Sequence, residues 1–231
     1  MSEELKYCYK YPHHAVTTDC VIFGFDGHEL KVLLIERGID PYKGSWAFPG
    51  GFLRPDESAE DGALRELREE TGVEDAYIEQ FHTYSDPSRD PRERVITIAY
   101  MALVKITEVK GGDDAVDARW FPVNDTPQLA FDHDKILRDA LVRLRERIHF
   151  HPIGRDLLPE KFTIKELQTL YESVLGVQFD RRNFSKKIMH LELLIQLDET
   201  VWPTPKREAK LFKFNLDKYN ELKKRGFRLE F

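Results

Sequence analysis

The chain has 231 residues, of which 41% are hydrophobic and 33% are charged, so it is long enough to form two small domains with buried cores. No apolar run approaches the roughly 18 residues of a membrane-spanning helix, and the N-terminus lacks the basic-then-apolar order of a secretory signal. With two cysteines, Cys8 and Cys20, that match no metal-binding spacing, we expect a cytoplasmic protein without a membrane partner.

The net charge of −6 is unevenly divided along the chain. Residues 1–150 contain 19 Lys and Arg against 29 Asp and Glu, a net charge of −10, whereas residues 151–231 contain 16 against 12, a net charge of +4. Because the charge of a surface influences which partners it attracts, we expect two domains with different partners, at residues 1–150 and 151–231.

The first clear pattern is a pair of strands. Residues Ala15–Phe25 and Leu30–Arg37 are rich in β-branched and aromatic side chains, and the Asp-Gly step between them is typical of a hairpin turn. The stretch Trp46–Gly51 follows, and its two final glycines allow a ligand to approach the backbone closely. These residues therefore predict a hairpin that leads into a turn suited to ligand binding.

The next stretch, Gly51–Val73, holds three carboxylates at helical spacing. Glu66, Glu69 and Glu70 stand three and four residues apart, so on a helix they share one face. Like charges placed in this way repel one another, and a bound Mg²⁺ or Mn²⁺ turns that repulsion into attraction. An isolated Glu-Glu pair is usually a solvated helix face, but here Gly, Glu and Arg also stand at fixed spacings around it. The sequence therefore predicts a metal site that serves phosphate chemistry.

The same stretch predicts its own helix. Ser58 is a suitable N-cap, with Asp61 three residues later as a variant of the capping box, and Gly72 is expected to end the helix. Arg65 is spaced to orient carboxylates, including Glu57, without being a metal ligand itself. The core-facing side chains of this helix are expected to be Ala63, Leu64 and Leu67.

The spacing G-x5-E-x7-R-E-U-x-E-E-x-G-U, where U is apolar, is complete in this chain and resembles the signature of the Nudix hydrolases. That resemblance implies an α/β fold, an α/β/α sandwich with a mixed sheet, which cleaves a nucleoside diphosphate linked to another group with the help of Mg²⁺ or Mn²⁺. The catalytic residues that it implies are Glu57, Arg65, Glu66, Glu69 and Glu70. The metal ligands that it implies are the Gly50 backbone carbonyl, Glu66, Glu69 and Glu70.

The loop Ser85–Arg92 has the sequence SDPSRDPR. Two Asp-Pro steps stiffen it, and Arg89 and Arg92 carry guanidinium groups suited to phosphate. Alone it would be read as a polar surface turn, but beside this box it resembles the SDPxRDPR loop of ADP-ribose pyrophosphatases. ADP-ribose is therefore the expected ligand, although Glu93-Arg94 replaces the Gly-His that often follows in those enzymes. The substrate-binding residues that the resemblance implies are Gly50, Gly51, Asp86, Arg89 and Arg92.

Three more strands and a helix complete the first domain. The strands are predicted at Tyr77–Thr83, Arg94–Val104 and Ala118–Phe121, and the helix at Asp132–Ile148. One side of this helix is apolar and consists of Ile136, Leu137, Ala140, Leu141, Leu144 and Ile148. Strands and helices mixed in this way predict one sheet packed between helices. Residues 111–115 also resemble a loop of the ADP-ribose pyrophosphatases, and the candidate catalytic bases around it are Glu108, Asp113 and Asp114.

Proline and glycine at residues 151–154 and 158–159 mark the border of the second domain. Thr163 and Glu166 form a capping box that opens a helix through Leu175, and Gly176 ends it. A second helix follows from Asp180 to Met189. Basic and polar side chains crowd its first two turns, namely Arg181, Arg182, Asn183, Lys186 and Lys187.

Two strands, Ile195–Val201 and Lys210–Phe214, then flank a basic, proline-rich loop. A helix, a turn, a basic helix and a hairpin in this order predict a winged helix-turn-helix domain, whose basic helix meets DNA. A basic helix is more often a solvated face, so the periodicity alone leaves both interpretations open.

A Nudix domain followed by a winged helix resembles the Nudix-related transcriptional regulators. These proteins control genes of NAD or sugar metabolism and sense ADP-ribose or a related nucleoside diphosphate sugar. The resemblance covers nearly the whole chain, including Pro152-Ile153-Gly154 at the junction and the Arg-Asn-Phe start of the basic helix. It implies a homodimer that binds double-stranded operator DNA.

Many such regulators have a degraded box, whereas this chain keeps every carboxylate. Two hypotheses follow: an ADP-ribose hydrolase that carries a DNA-binding domain, and a regulator whose pocket senses ADP-ribose without cutting it. A third is a general Nudix hydrolase whose C-terminal domain serves only dimerisation.

Overall fold

The computed structural model describes residues 10–73, 76–109, 115–204 and 207–226. Nine strands and six helices lie within these ranges. The strands are β1 (Ala15–Phe25), β2 (Leu30–Arg37), β3 (Trp46–Ala47), β4 (Gly50–Phe52), β5 (Ile78–Tyr84), β6 (Val95–Leu103), β7 (Ala115–Pro122), β8 (Leu194–Thr204) and β9 (Arg207–Phe214). The helices are α1 (Ala59–Thr71), α2 (His133–Arg147), α3 (Gly154–Leu157), α4 (Ile164–Leu175), α5 (Arg181–His190) and α6 (Leu216–Lys224).

Seven strands form one sheet, in the order β3-β2-β1-β6-β5, with β4 paired to β1 and β7 paired to β2. Strand β1 runs parallel to β6 and antiparallel to β2, so the sheet is mixed, as the sequence predicts. Strand β7 is longer than the predicted Ala118–Phe121, because its pairing with β2 extends from Pro122 to Ala115.

Successive side chains of β1 point to opposite faces of this sheet. Cys20 and Ile22 join an apolar cluster with Leu67 of α1, whereas Val21 and Phe23 join a second cluster with side chains of α2. Helices therefore cover both faces of the sheet, which confirms the predicted α/β/α sandwich.

Helix α1 has the ends that the sequence predicts. Ser58 Oγ accepts a hydrogen bond from Asp61 N (3.1 Å) and donates one to Asp61 Oδ2 (2.7 Å), and the helix ends at Gly72, whose φ is 72°. Ala63 and Leu67 are buried, whereas Leu64 is only partly buried. Contacts with β1 and β4 place this helix beside the turn that contains the paired glycines.

The second domain is the predicted winged helix-turn-helix. Helix α4 begins with the complete capping box of Thr163 and Glu166, and the Asp180 side chain caps α5 by accepting a hydrogen bond from Asn183 N (2.9 Å). Phe184 and Ile188 bury one face of α5, while β8 and β9 form the antiparallel wing.

Helices α3 and α6 were not anticipated. Asn215 caps α6, and the hydroxyl of Tyr219 in α6 lies 2.9 Å from Nδ1 of His151 at the junction. This contact joins α6 to the segment between the two domains. The domain border after residue 150 stays a prediction.

The two domains share one apolar core. Ile136, Leu144 and Ile148 belong to the same cluster of buried side chains as Leu170 and Val174 of α4. Two hydrogen bonds reinforce this contact: the backbone N–H at the start of β2 donates to Ser173 Oγ (2.7 Å), and Arg145 Nε donates to the carbonyl of Val174 (3.0 Å). None of the helices in the described ranges is long and apolar enough to cross a membrane.

Candidate functional site

A cleft of about 290 Å³ opens where β1, β2 and β4 meet the helices α1 and α2. Its lining contains two kinds of side chain. The acidic group consists of Asp19, Glu66, Glu69 and Glu70. The arginine–aromatic group consists of Arg37, Phe52, Arg89, Arg92 and Phe131. Arg54, Arg65 and the two glycines, Gly50 and Gly51, also line the cleft.

Arg65 organises the carboxylates of α1. Its guanidinium donates to both carboxylate oxygens of Glu57 (2.6 and 2.9 Å), to Glu66 Oε1 (2.6 Å) and to Glu69 Oε2 (3.0 Å). The hydrogen bonds from Arg65 lower the pKa of Glu57 to about 2. The structure therefore brings Arg65 and Glu57 together, as the sequence predicts, and their contact ties α1 to the loop before it.

Glu70 is the buried carboxylate of the acidic group, with 6% of its surface exposed. Its Oε2 accepts a hydrogen bond from Gly50 N (2.9 Å). Burial raises the pKa of Glu70 to about 8, and the negative charges of Glu66 and Asp19 add to that shift. The surroundings of Glu70 therefore disfavour its charged form, which a bound cation would stabilise.

The paired glycines, Gly50 and Gly51, allow the β4 backbone to lie close to β1 and to the carboxylates of α1. A Cβ atom on Gly50 would lie 2.1 Å from the carbonyl oxygen of Thr18, and one on Gly51 would lie 2.3 Å from Glu66 Oε1. Any larger residue at either position would clash with β1 or displace the carboxylate. The two glycines therefore bring the β4 backbone against the acidic group.

The donor chemistry of the acidic group fits a hard divalent cation, because carboxylate oxygens are ligands that Mg²⁺ and Mn²⁺ prefer. Within the described ranges, no three His, Cys, Asp or Glu side chains are already arranged around a common metal position. Each of these carboxylates is bonded to another partner: Glu66 and Glu69 accept hydrogen bonds from Arg65, and Glu70 accepts one from Gly50 N. The predicted ligands are therefore neighbours in the cleft, and their carboxylates point to different hydrogen-bond partners.

Arg89 is more deeply enclosed than the sequence suggested. Its Nε and Nη2 donate to the two oxygens of Asp132 (3.1 and 2.8 Å), and Nη2 lies 3.5 Å from Asp19 Oδ2. Asp19 itself accepts a hydrogen bond from Thr97 Oγ1 (2.6 Å). The guanidinium lines the cleft, but its fork is occupied by a carboxylate rather than open to phosphate.

Arg92 is similarly paired, since it donates to both oxygens of Asp90 (3.0 and 2.8 Å). Its guanidinium also lies over the rings of Phe52 (5.1 Å) and Phe131 (5.8 Å). Arg37 stacks on Phe131 as well (5.0 Å), and burial together with the charge of Arg92 lowers the pKa of Arg37. Positive charge and aromatic surface therefore meet in one part of the cleft, with the Phe52 ring partly exposed.

Several predicted residues lie elsewhere. Asp86 is exposed and does not line the cleft; its carboxylate accepts hydrogen bonds from Ser88. Glu108 is exposed and also outside the lining, while Asp113 and Asp114 lie outside the described residues.

Sequence reasoning missed Asp19, Arg37, Asp132, His133 and the two aromatic rings. These residues stand in strands or at a helix start without a local motif, so only the fold brings them together. One signal was present: Thr17, Thr18 and Asp19 are consecutive polar residues in an otherwise apolar strand, and buried polar residues of this kind often mark a site.

The predicted DNA-contacting residues lie together on one exposed surface. We call Arg181, Arg182, Lys186 and Lys187 the basic face of α5; all four side chains are exposed. A groove of about 880 Å³ beside them runs between the start of α4, α5 and β9, and includes Lys165 and Lys210. Asn183 is exposed on the same turn. The arrangement gives a phosphate backbone positive charge on both the helix and the wing.

Comparison with known proteins agrees with this architecture. Residues 13–140 match the model of the NUDIX domain, and residues 154–214 match that of the NrtR DNA-binding winged helix domain. The ADPR responsive transcriptional repressor NtrR of Acinetobacter baylyi is 32% identical over 91% of this chain and 86% of its own length. An ADP-ribose pyrophosphatase of Methanocaldococcus jannaschii is 43% identical over 60% of this chain and 79% of its own length.

A solved relative shows the same order of domains. NrtR of Shewanella oneidensis, in complex with a 27mer DNA, is 31% identical with a TM-score of 0.74, covering 93% of this chain and 97% of that one. The NUDIX domain of the same protein, in complex with ADP ribose, is 37% identical with a TM-score of 0.56, covering 60% of this chain and 94% of that one. The chain therefore belongs to the Nudix family, in the group whose Nudix domain is joined to an NrtR-type winged helix.

Proposed function

We propose that this protein binds ADP-ribose in the cleft, hydrolyses it to AMP and ribose 5-phosphate, and binds operator DNA through its winged helix as a homodimer. The observation that carries the proposal is the combination, in one cleft, of the three predicted metal ligands of the Nudix box, Glu66, Glu69 and Glu70, with the arginine–aromatic group. ADP-ribose presents a pyrophosphate that arginines can neutralise and an adenine ring that aromatic side chains can stack against. The names of the Acinetobacter, Methanocaldococcus and Shewanella relatives support this choice of ligand.

In the overall reaction, a water oxygen forms a bond to one phosphorus and the bridging P–O bond breaks, while the protons of the water pass to the products and the solvent. A bound Mg²⁺ or Mn²⁺ would supply Lewis-acid stabilisation of the charge that develops on the pyrophosphate. Glu66, Glu69 and Glu70 would hold the ion, with the Gly50 backbone beside them. Arg65, through Glu57, keeps α1 in place against its loop.

The arginines and aromatic rings of the cleft would bind and orient the ligand. Arg92 stands in the cleft with its orientation fixed by Asp90, so little of its side-chain entropy remains to be lost on binding. Arg89 lines the same cleft and is paired with Asp132. Phe52, exposed at the cleft, offers a flat surface to the adenine ring. These side chains orient the ligand, and the acidic group acts on its pyrophosphate.

The DNA-binding part of the proposal rests on the basic face of α5. A winged helix places such a helix in the major groove, and a homodimer presents two of them to a palindromic operator. The positive charge of the second domain contrasts with the acidic first domain, so DNA is attracted to one end of the molecule.

A second candidate function is a sensor that binds ADP-ribose without cutting it. It is supported by the Acinetobacter relative, a repressor that matches this chain over nearly its whole length. It is also supported by Arg65, whose hydrogen bonds occupy oxygens of two of the predicted metal ligands, Glu66 and Glu69.

One pair of measurements separates these functions. ADP-ribose turnover is followed by the release of AMP with Mg²⁺ and again with EDTA, and ADP-ribose binding is measured by calorimetry. Metal-dependent release of AMP supports the hydrolase, whereas binding without release supports the sensor. Absence of ADP-ribose binding in both conditions would contradict both candidates. A gel shift on the DNA upstream of its own operon tests the winged helix in the same preparations.

A further inference from the structure

Helix α2 begins inside the cleft. Asp132 immediately precedes it, and among the described residues the Asp132 carboxylate makes no capping bond to the first turn, because it accepts both hydrogen bonds from Arg89. His133, the first helical residue, lines the cleft, and its Nδ1 accepts a hydrogen bond from Phe48 N (3.0 Å). The arginine that stands in the ligand cleft therefore also fixes the start of α2.

The other end of α2 lies against the DNA-binding domain. With 15 residues the helix spans about 22 Å. Leu144 in its last turn is fully buried in the core shared with α4, and Arg145 Nε donates to the carbonyl of Val174 (3.0 Å). Ser173 of α4 accepts the hydrogen bond from the first N–H of β2 (2.7 Å). The last turn of α4 is thus tied to the Nudix domain at two points.

Helix α4 is in turn the support of α5. The ring of Tyr171 in α4 packs edge-to-face against Phe184 in α5, with ring centroids 5.9 Å apart. Both side chains are buried, and the opposite side of α5 carries the basic face. A continuous path of packed side chains therefore runs from Asp132 through α2 and α4 to the DNA-binding helix.

We propose that α2 couples the cleft to the DNA-binding domain, and that exchange of Arg89 between Asp132 and the ligand pyrophosphate is the event that drives it. This inference rests on the proposed binding of ADP-ribose and DNA. The Nε–Nη2 edge of Arg89, which holds Asp132, cannot bind a phosphate bidentately at the same time. When Arg89 turns to the pyrophosphate, Asp132 loses its partner and is free to cap α2, which gives the start of the helix two discrete arrangements.

Close packing explains why a change at one end reaches the other. A packed interior does not deform continuously, so a shift at the start of α2 moves the helix against α4 as a unit. Asp132 and Arg145 are positioning residues in this scheme: the first acts through Arg89 and the second through α4. The same path works in both directions, since operator DNA must change ADP-ribose affinity by the same factor.

The first test changes Asp132 to Asn, which keeps its shape but removes the charge that competes for Arg89. The readout is the dissociation constant for operator DNA, with and without saturating ADP-ribose. In the wild type we expect the two values to differ by about 5- to 150-fold. In Asp132→Asn the ligand-free value should move at least halfway, on a logarithmic scale, towards the liganded wild-type value. Asp134→Asn, in the same helical turn, is the matched control and should keep the wild-type value.

The second test removes contacts between the Nudix domain and the end of α4, away from the cleft. Arg145→Met combined with Ser173→Ala removes both tertiary hydrogen bonds to the end of α4 and keeps the aliphatic stem of Arg145. We expect ADP-ribose affinity and ligand-free DNA affinity to stay within about threefold of wild type, the scale of losing contacts remote from each site. The ratio between the two DNA affinities should fall at least fivefold, towards 1. Arg143→Met, whose partners are Glu79 and Glu146, is the control and should keep the ratio.

The outcomes are distinguishable. If Arg145→Met with Ser173→Ala stays folded and keeps the wild-type ratio, the route through α2 is wrong while the proposed function stands. If the wild type binds both ADP-ribose and DNA with a ratio of 1, no coupling exists and the inference is overturned. If the wild type binds neither, the proposed function fails, and with it the inference. Should Asp132→Asn fail to fold, the double variant at the far end decides.

Discussion

The cleft and the basic face of α5 use charge in opposite ways. In the cleft, Arg65, Arg89 and Arg92 are each held by a carboxylate at hydrogen-bond distance. On α5, by contrast, no ion pair within the described ranges engages Arg182 or Lys186, and both side chains are exposed. A small ligand benefits from groups fixed in advance, whereas a long polyanion is bound by many mobile charges that release counterions. Substitution of a cleft arginine is therefore expected to change both ligand binding and the free energy of unfolding, whereas substitution on the basic face is expected to change DNA binding alone.

The largest effect is expected on the basic face. Arg182→Ala with Lys186→Ala removes four cations from the proposed homodimer, and we expect operator affinity to fall by about 10³-fold and to depend less steeply on salt. Because both side chains are exposed, the free energy of unfolding should change by less than about 0.5 kcal/mol. Gel shifts across a salt series and a thermal melt measure both quantities.

The matched control for that variant is Lys105→Ala with Arg138→Ala, two exposed cations of the Nudix domain. An equal loss of DNA affinity in the control would mean that overall charge, rather than α5, determines binding. Full retention of the gel shift in the α5 variant would show that the basic face is only a solvated surface.

The second effect concerns the acidic group. Glu70→Gln keeps an oxygen that can accept the hydrogen bond from Gly50 N but removes a carboxylate from the proposed metal site. We expect ADP-ribose turnover to fall by about 10²-fold, the scale of losing one catalytic group. Steady-state release of AMP at saturating Mg²⁺ is the measurement, with Glu60→Gln, an exposed residue of the same helix, as the control. Turnover at the wild-type rate in Glu70→Gln would remove Glu70 from the metal site.

The third effect tests whether Arg89 serves ligand and fold together. Arg89→Ala should weaken ADP-ribose binding by about 1.5–3 kcal/mol, the range of a charged hydrogen bond. It should also lower the free energy of unfolding by about 1–3 kcal/mol, because Asp132 keeps its charge without a partner. Calorimetry and chemical denaturation provide the two values. Arg94→Ala, which removes a hydrogen bond from its guanidinium to the carbonyl of Ser85, is the control next to the same loop. Unchanged affinity in Arg89→Ala would mean that the loop is a structural turn.

The smallest effect is a pH dependence of stability at Glu57. Arg65 holds the pKa of Glu57 at about 2 in the folded protein, below its ordinary value of 4.5. A lowered folded-state pKa stabilises the protein above pH 4.5, and that contribution is lost as the pH falls towards 2. Glu57→Gln should therefore cost about 1 kcal/mol at neutral pH and almost nothing near pH 2. Denaturation curves across this pH range test the sign; an equal cost at both ends would mean that packing, not charge, matters here.

Much of this molecule follows from local sequence rules. The bounds of β1 and β2, the caps of α1 and α4, and the pairing of Arg65 with Glu57 depend on residues close together in the chain, where turn chemistry and helical spacing decide the outcome. The order of domains likewise follows from motifs that are complete in the sequence.

The rest depends on contacts between distant residues. Arg89 pairs with Asp132, 43 positions later, and Asp19 is bonded by Thr97, 78 positions later. No periodicity links such residues, because the sheet brings them together only after its strands have paired. The helix α6 is not predicted for a different reason. Its capping residue, Asn215, directly follows the last residue of β9, so no turn or loop residues separate the strand pattern from the helix pattern.

The shared core has a thermodynamic consequence. Val174 of the second domain is buried against the same apolar cluster as Ile136 and Leu144 of the first, so neither half keeps its buried surface when the other unfolds. Heat should then melt the protein in a single cooperative transition rather than in two steps. A ligand that binds only to the Nudix domain raises the melting temperature of the winged helix as well, because the two halves unfold together.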